Sequence, residues 1–286
     1  VEVSHVEAQS NAVAVERIRA LMQMRKGPNL IFCSLDAVLY RMRPPERFYG
    51  TIFSLKPEME IRPSALIRQL ELSGCERAVM IEAPGQYSGR GEIVEIFAPN
   101  MDQPVRITFF DEEIETIRMF DPDSQRSFGD ALSRVHIPSA QEICLREEEV
   151  RQLEEYFAGR PDAMGKQAEQ YRYLLRENGM FPGMEAFSGL FADACSVARW
   201  ADGAICVVDD LERSLVQTEQ KEQQRQAMFS EILQSGGAFG CENDCWAPVQ
   251  EWTKEHRGIL VDLEGIAECK SIRPARRIAC GMSSTV

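Results

Sequence analysis

The spacing of apolar residues divides the chain into helical and strand-like segments. Residues 9–24 carry apolar side chains at helical spacing, which predicts an amphipathic helix that ends at the Gly-Pro pair of 27–28. This apolar stripe consists of Val13, Val15, Ile18, Leu21 and Met22. The continuous apolar run at 29–34 predicts a buried strand of the parallel-sheet type, and residues 35–40 begin another helix. Such an order is typical of an α/β domain.

The pattern changes after Pro44 and Pro45. Residues 48–55 are predicted to form a strand, and Pro63 opens a predicted helix at 63–70. Three short strands separated by turn residues then follow, at Ile93–Phe97, Val105–Phe110 and 114–120. Their spacing favours an antiparallel meander, so the sequence predicts a small α+β module at 46–137.

Helical patterns return beyond residue 138. The predicted elements are a charged helix at 140–157, a helix at 167–178, a buried strand at 204–208, a long polar helix at Leu211–Gln234 and a strand near 259–261. The segments on both sides of the module therefore share one α/β pattern. We divide the chain into an α/β remnant at 1–45, an inserted module at 46–137, and a second α/β part with a C-terminal tail at 138–286.

Composition and charge restrict the classes of function. Hydrophobic residues make up 44% of the 286 positions, enough for a globular core. With 32 basic against 45 acidic residues the net charge is -13, which disfavours a broad nucleic-acid surface and favours a protein partner. The apolar runs are too short to cross a bilayer, so we expect a cytoplasmic protein with no membrane partner. The start without Met suggests a fragment, although processing would also produce it.

No segment matches a phosphate-binding loop. The nearest stretch, Gly159 to Lys166, has five residues between its glycines instead of four, and Gln167 follows where Ser or Thr is needed to ligate magnesium. We interpret it as a polar loop. The acidic pair Asp209 and Asp210 follows an apolar run, as at the magnesium-binding end of an ATPase strand. It is either a vestige of such a site or a helix cap, with Asp210 suited to the N-cap position.

The nine cysteines form neither a disulfide framework nor a regular zinc motif. Their odd number and apolar surroundings favour reduced core thiols. Cys241 and Cys245 have a spacing that could chelate a metal, with Cys269 and Cys280 downstream, but no nearby His completes a set. We therefore expect no metal site and no catalytic arrangement of Ser, Cys and His.

The strand at Val105–Phe110 carries the most informative pattern. Side chains alternate across a strand, so Val105, Ile107 and Phe109 share the core face while Arg106 and Phe110 point the other way. Arg118 in the next strand and Arg90 in the preceding one extend this outer face. An exposed Phe beside arginines is typical of a protein-binding hot spot. The alternative is that the helix at 63–72 covers Phe110 and the arginines pair with local acids.

Two long segments resemble a known family. SGRGEIVEIF at 88–97 and PVRITFFDEEIETIRMFD at 104–121 resemble the signature shared by UvrB and the transcription-repair coupling factors (Mfd). DPDSQRS at 121–127 and MFPGMEAF at 180–187 resemble Mfd more than UvrB. The resemblance is strong over 46–137 and continues more weakly to about 265.

The resemblance implies both a fold and a function. The fold is a degenerate RecA-like, UvrB-like α/β domain interrupted by an inserted small module with an antiparallel sheet. The module would bind the repair protein UvrA through Arg90, Arg106 and Phe110, with Arg118 nearby. The chain is then a non-catalytic recruitment module of nucleotide excision repair, without a cofactor of its own.

Other activities of the family reside in other regions. The full-length family member is an ATP-dependent DNA translocase that removes stalled RNA polymerase, and its ATP, magnesium, polymerase and DNA are bound by parts that this chain lacks. The alternative hypothesis is a nucleotide-dependent enzyme of the UvrB or helicase type that handles damaged DNA.

Overall fold

The computed structural model describes residues 11–27, 30–158, 162–181, 183–234, 245–248, 251 and 260–263. The helices are α1 (Asn11–Met24), α2 (Leu35–Leu39), α3 (Pro45–Tyr49), α4 (Pro63–Leu72), α5 (Glu147–Ala158), α6 (Asp162–Asn178), a 3-10 helix (Met184–Leu190), α7 (Val197–Trp200) and α8 (Leu211–Gln234). The strands are β1 (Phe53–Leu55), β2 (Glu76–Arg77), β3 (Gln86–Arg90), β4 (Ile93–Phe97), β5 (Val105–Phe110), β6 (Glu113–Phe120), β7 (Ser127–Phe128), β8 (Val135–Ile137), β9 (Cys206–Asp209) and β10 (Leu260–Leu263). The described chain is therefore a mixed α/β protein.

A six-stranded sheet dominates the central region. Its order is β2-β3-β4-β5-β6-β7, antiparallel except for the β2–β3 pair. The predicted meander of β4, β5 and β6 is confirmed, with β6 beginning one residue early at Glu113. The sequence did not predict β3, because Gln86–Arg90 is largely polar and contains a glycine. Its place is set by pairing with β4, where Tyr87 lies opposite Ile96 and Gly89 opposite Val94.

Helix α4 covers one face of this sheet. Leu66 and Leu70 are fully buried in a cluster with Val94, Ile107 and Phe109. Pro63 occupies the first turn, where its missing N–H costs nothing, so the predicted helix is confirmed and ends two residues later. The helix approaches β3 closely, since a Cβ on Gly89 would lie 2.6 Å from Cδ1 of Ile67.

Helix α1 attaches the N-terminal segment to the sheet and to the segment after β8. Arg19 donates to the carbonyl oxygens of Pro99 and Met101 at 3.2 and 3.0 Å. Arg17 forms an ion pair with the buried Glu142, with 2.7 Å between Nε and Oε1. The predicted stripe is buried at Val15, Ile18, Leu21 and Met22, but Val13 is exposed.

The strand predicted at 29–34 is wrong. Residues 30–34 form no strand, and Leu30, Ile31 and Phe32 are exposed. The strand predicted at 204–208 exists as β9, yet Ile205 and Val207 are exposed instead of buried. In the described residues β9 pairs with β10 alone. An apolar run becomes a buried strand only when neighbouring strands pair with it. The local sequence does not show whether such strands are present.

Three other boundaries differ from the predictions. Of the strand predicted at 48–55, residues 48 and 49 belong to α3 and only Phe53–Leu55 forms a strand, because Pro45 suits a first helical turn and Phe48 packs against α1. Helix α5 begins at Glu147, where Glu149 accepts a hydrogen bond from the N–H of Arg146 at 2.7 Å and so caps the helix. Helix α6 begins at Asp162, so the loop predicted up to Lys166 is wrong from 162 onward.

Candidate functional site

The two faces of β5 differ as the alternation predicts. Val105, Ile107 and Phe109 are buried in the sheet core. Phe110 is 76% exposed on the opposite face, and the side chain of Arg106 is 21% exposed there. The predicted strand register is therefore confirmed.

Helix α4 does not cover Phe110. Its buried residues Leu66 and Leu70 pack against Ile107 and Phe109, on the face from which Phe110 points away. The alternative that α4 shields Phe110 is wrong. We call the outer surface formed by Arg90, Ile93, Thr108, Phe110 and Arg118 the open face.

One end of the outer surface is closed by a small second core. Phe97 and Phe120 lie on this side of β4 and β6, and Ile81 from the segment after β2 packs on both. All three are buried. The outer surface of the sheet is thus covered at one end and exposed around Phe110.

Arg106 lies between these two regions and is held within the chain. Its Nε donates to Oε1 of Glu95 at 2.8 Å, and Nη2 is 2.6 Å from the same oxygen. The guanidinium also donates to the carbonyl oxygen of Gln125 at 3.1 Å and to Oγ of Ser127 at 3.4 Å. It lies 4.8 Å from the centre of the Phe120 ring. For Arg106, pairing with a local acid is therefore confirmed.

The other two predicted arginines are more exposed. Arg118 lies directly opposite Arg106 in the β5–β6 pair, and its side chain has no hydrogen bond or ion pair in the described chain. Arg90 is exposed and donates to the carbonyl oxygen of Val79. The structure therefore places all four predicted residues on one side of the sheet. Arg106 is bound within the chain, Arg90 has one side-chain hydrogen bond, and Phe110 and Arg118 are exposed.

Sequence reasoning missed two exposed apolar residues, one on the open face and one beside Arg90. Ile93 pairs with Thr108 across β4 and β5, and its side chain is 37% exposed. Val79, beside Arg90, is 80% exposed. The alternation in β4 contained the signal for Ile93, since Val94 and Ile96 face the core and position 93 must face outward. Aromatic rings and guanidinium groups are the side chains that protein partners use as anchors, and an aliphatic neighbour adds apolar contact area.

The segments considered for nucleotide or metal binding have other roles. Gly165 and Lys166 lie in α6. Asp210 accepts a hydrogen bond from the N–H of Arg213 at 3.1 Å, which confirms the capping interpretation. Cys245 is buried, with its Sγ 2.9 Å from the carbonyl oxygen of Ala186. Cys241, Cys269, Cys280 and residues 159–161 lie outside the described residues. The described residues contain no His, Cys, Asp and Glu cluster suited to a metal.

Comparisons with known proteins identify relatives of this chain. Residues 53–142 match the family described as the UvrB interaction domain. The chain is 31% identical over 178 residues to the transcription-repair-coupling factor of Bacillus subtilis (strain 168), covering 61% of this chain and 15% of that protein. It is 34% identical over 146 residues to that of Myxococcus xanthus, covering 50% and 12%.

A third relative matches over a longer stretch. The transcription-repair-coupling factor of Staphylococcus aureus (strain Mu50) is 27% identical over 248 residues, covering 81% of this chain and 21% of that protein. These similarities confirm the family resemblance read from the sequence. The chain matches only about a fifth or less of the length of these relatives. None of the helices that the structure describes has the length and apolar character needed to span a membrane.

Proposed function

We propose that this chain, a relative of the transcription-repair-coupling factors with a UvrB interaction domain at 53–142, recruits UvrA through the open face of its six-stranded sheet. Arg90, Arg106, Phe110 and Arg118 are the partner-binding residues of this proposal. The chain acts as a non-catalytic module and uses no cofactor for this step.

The observation that carries the proposal is the exposure of Phe110. A Phe side chain that is 76% exposed leaves a large apolar area in water, which costs free energy at about 25 cal/mol per Å² until a partner covers it. It lies on a rigid strand whose opposite face is filled by Ile107 and Phe109. Because Phe110 falls inside the matched region of the UvrB interaction domain, UvrA is the partner that this surface supports best.

The proposal extends to the organisation of the chain. Residues 46–137 form the UvrA-binding module, and the parts at 1–45 and 138–286 belong to one degenerate RecA-like domain that the module interrupts. The buried cluster from Leu55 to Ile137 supports a module with its own core. In the whole protein, ATP-dependent DNA translocation and contacts with RNA polymerase and DNA belong to other regions.

The proposal is tested by the affinity of purified UvrA for the chain, measured by calorimetry. Phe110→Ala removes the exposed ring, and we expect it to weaken binding by about thirtyfold or more, as for a central aromatic anchor worth about 2 kcal/mol. Leu72→Ala is the matched control, because Leu72 is also an exposed apolar residue but lies at the end of α4, on the other side of the sheet. Equal affinity of both folded variants and the parent chain would rule out the proposed surface.

The nucleotide-dependent alternative makes a different prediction. An enzyme of the UvrB or helicase type needs a loop that wraps phosphates, whereas residues 162–164, which would form half of that loop, already lie in α6. DNA binding by the isolated chain that responds to ATP would favour that alternative.

A further inference from the structure

The guanidinium of Arg106 already makes several contacts within the chain and has few hydrogen-bond donors left for a partner protein. Its guanidinium contacts the carboxylate of Glu95, the carbonyl of Gln125, the hydroxyl of Ser127 and the ring of Phe120. These contacts attach the loop between β6 and β7 to the middle of the sheet. Losing the guanidinium would leave the mostly buried carboxylate of Glu95 without its cation and would release that loop.

The guanidinium of Arg118, unlike that of Arg106, makes no polar contact within the described chain. It lies directly across the strand pair from Arg106, and like charges at such positions repel each other. Glu95 compensates the charge of Arg106 alone. Because Arg118 is exposed and its side chain has no hydrogen bond or acidic partner in the described chain, it is the unengaged cation of this face, whereas the exposed Arg90 donates to the carbonyl oxygen of Val79.

Apolar contact area lies on the same face. Ile93 is opposite Thr108, and Phe110 is two residues beyond Thr108 on the same side of β5. Diagonal neighbours of this kind are about 7–8 Å apart, so an aromatic side chain reaches across the gap. A single apolar side chain of a partner can therefore pack against Ile93 and Phe110 together.

We propose that the UvrA element bound here carries a carboxylate that pairs with Arg118 and an apolar side chain that packs between Ile93 and Phe110, while Arg106 is a positioning residue that holds the loop at 121–126 and the start of β7. This inference rests on the proposed recruitment of UvrA and specifies the chemistry of its contact. Arg106, included above among the partner-binding residues, then has an indirect role: it affects binding through Glu95 and the loop, without touching the partner.

The test measures the affinity of purified UvrA for the whole chain and its variants at about 0.05 M and about 0.5 M NaCl, conditions that differ strongly in charge screening. Arg118→Ala should weaken binding about tenfold at low salt, the value of one charge-assisted contact, and should reduce the salt dependence. Ile93→Ala should weaken binding about fivefold, through lost apolar burial. Arg68→Ala, which removes an exposed arginine of α4, is the matched control and should change neither quantity.

The role of Arg106 is tested by a double-mutant cycle with Glu95. If Arg106 is a positioning residue, Arg106→Ala and Glu95→Ala should weaken binding similarly, and the double variant should be no weaker than either. Arg106→Ala should also leave the salt dependence unchanged and speed hydrogen exchange at 121–127. If Arg106 instead touched the partner, Glu95→Ala would free its guanidinium and would preserve or strengthen binding.

Two results would overturn this inference while leaving the proposed function intact. One is a loss of affinity in Phe110→Ala together with unchanged affinity and salt dependence in Arg118→Ala. The other is tighter binding in Glu95→Ala. Unchanged affinity in Phe110→Ala and in every other variant would instead remove the proposed function itself.

Discussion

Phe109 and Phe110 are consecutive residues of β5 with opposite environments: Phe109 is buried in the sheet core, and Phe110 is exposed on the open face. The register shifts between Thr108 and Phe109, so that Phe109 still lies opposite the buried Ile114 of β6. Because of this irregularity, side chains that face the core continue to lie opposite each other up to the end of β5.

The two phenylalanines should therefore respond to truncation in opposite ways. Phe109→Ala should lower the free energy of unfolding by roughly 3–5 kcal/mol, because it leaves a cavity under α4. Phe110→Ala should change that free energy by about 0.5 kcal/mol or less, since it removes an exposed ring. Chemical denaturation of both variants measures the difference. A reversed result, with Phe110→Ala as the unfolding variant, would contradict the strand register.

Gly89 should be sensitive to a single added methyl group. A Cβ at this position would lie 2.6 Å from Cδ1 of Ile67, so Gly89→Ala should destabilise the chain by about 1 kcal/mol, the low end for overpacking, because the end of the partly buried Ile67 side chain can shift. Ile67→Val removes the clashing methyl, and the double variant should recover part of the loss in thermal or chemical unfolding. If Ile67→Val does not relieve Gly89→Ala, the close approach of α4 to β3 is not the source of the effect.

Lys166 should have no role in nucleotide turnover. Helix α6 begins four residues before Lys166, so Lys166 and the residues after it lie beyond the first turn, where the backbone N–H groups are engaged in the helix's own hydrogen bonds, and Gln167 stands where a phosphate-binding loop needs Ser or Thr. We expect the purified chain to release no phosphate from ATP, with or without DNA, and Lys166→Ala to behave identically. ATP hydrolysis that Lys166→Ala abolishes would contradict this assignment.

The central sheet could be predicted because the patterns that determine it lie within short stretches of the sequence. Alternation in β5 and β6 fixed which side chains face the core, and the turn residues between β4 and β5 marked the meander. The same rule placed Phe110 and Arg118 on one surface. The pairing of Arg106 with Glu95 was left as an open alternative, because it depends on which residue of β4 lies opposite position 106.

The flanking segments were less predictable because their structure depends on distant partners. The apolar residues at 30–34 read as a buried strand, but burial requires a neighbouring strand, and the described β9 pairs with β10 alone. The start of α5 depends on a side-chain cap by Glu149, whose carboxylate also binds Arg43 and Arg47 from a segment about 100 residues earlier. The spacing of apolar residues along the chain does not predict contacts between such distant segments.

The Arg17–Glu142 ion pair should make stability depend on pH in an unusual direction. Burial raises the pKa of Glu142 from its ordinary 4.5 to about 7, although the guanidinium of Arg17 opposes the shift, while Glu185 adds to it. Between these two values the folded chain keeps a proton that the unfolded chain has released. The contribution of Glu142 to the free energy of unfolding should therefore fall as the pH rises from about 4.5 to about 7 and stay constant above that.

Glu142→Gln isolates this contribution, because the amide has a similar shape but does not titrate. Urea unfolding of both chains at several pH values gives the difference in unfolding free energy, wild type minus variant. That difference should decline as the pH rises from about 4.5 to about 7 and should then stay constant. Arg17→Met should extend the decline to higher pH, since without the guanidinium the buried carboxylate loses its counter-charge and its pKa rises further. A difference that is flat across this window would show that Glu142 is already ionised in the folded chain at low pH, held by Arg17 against the effect of burial.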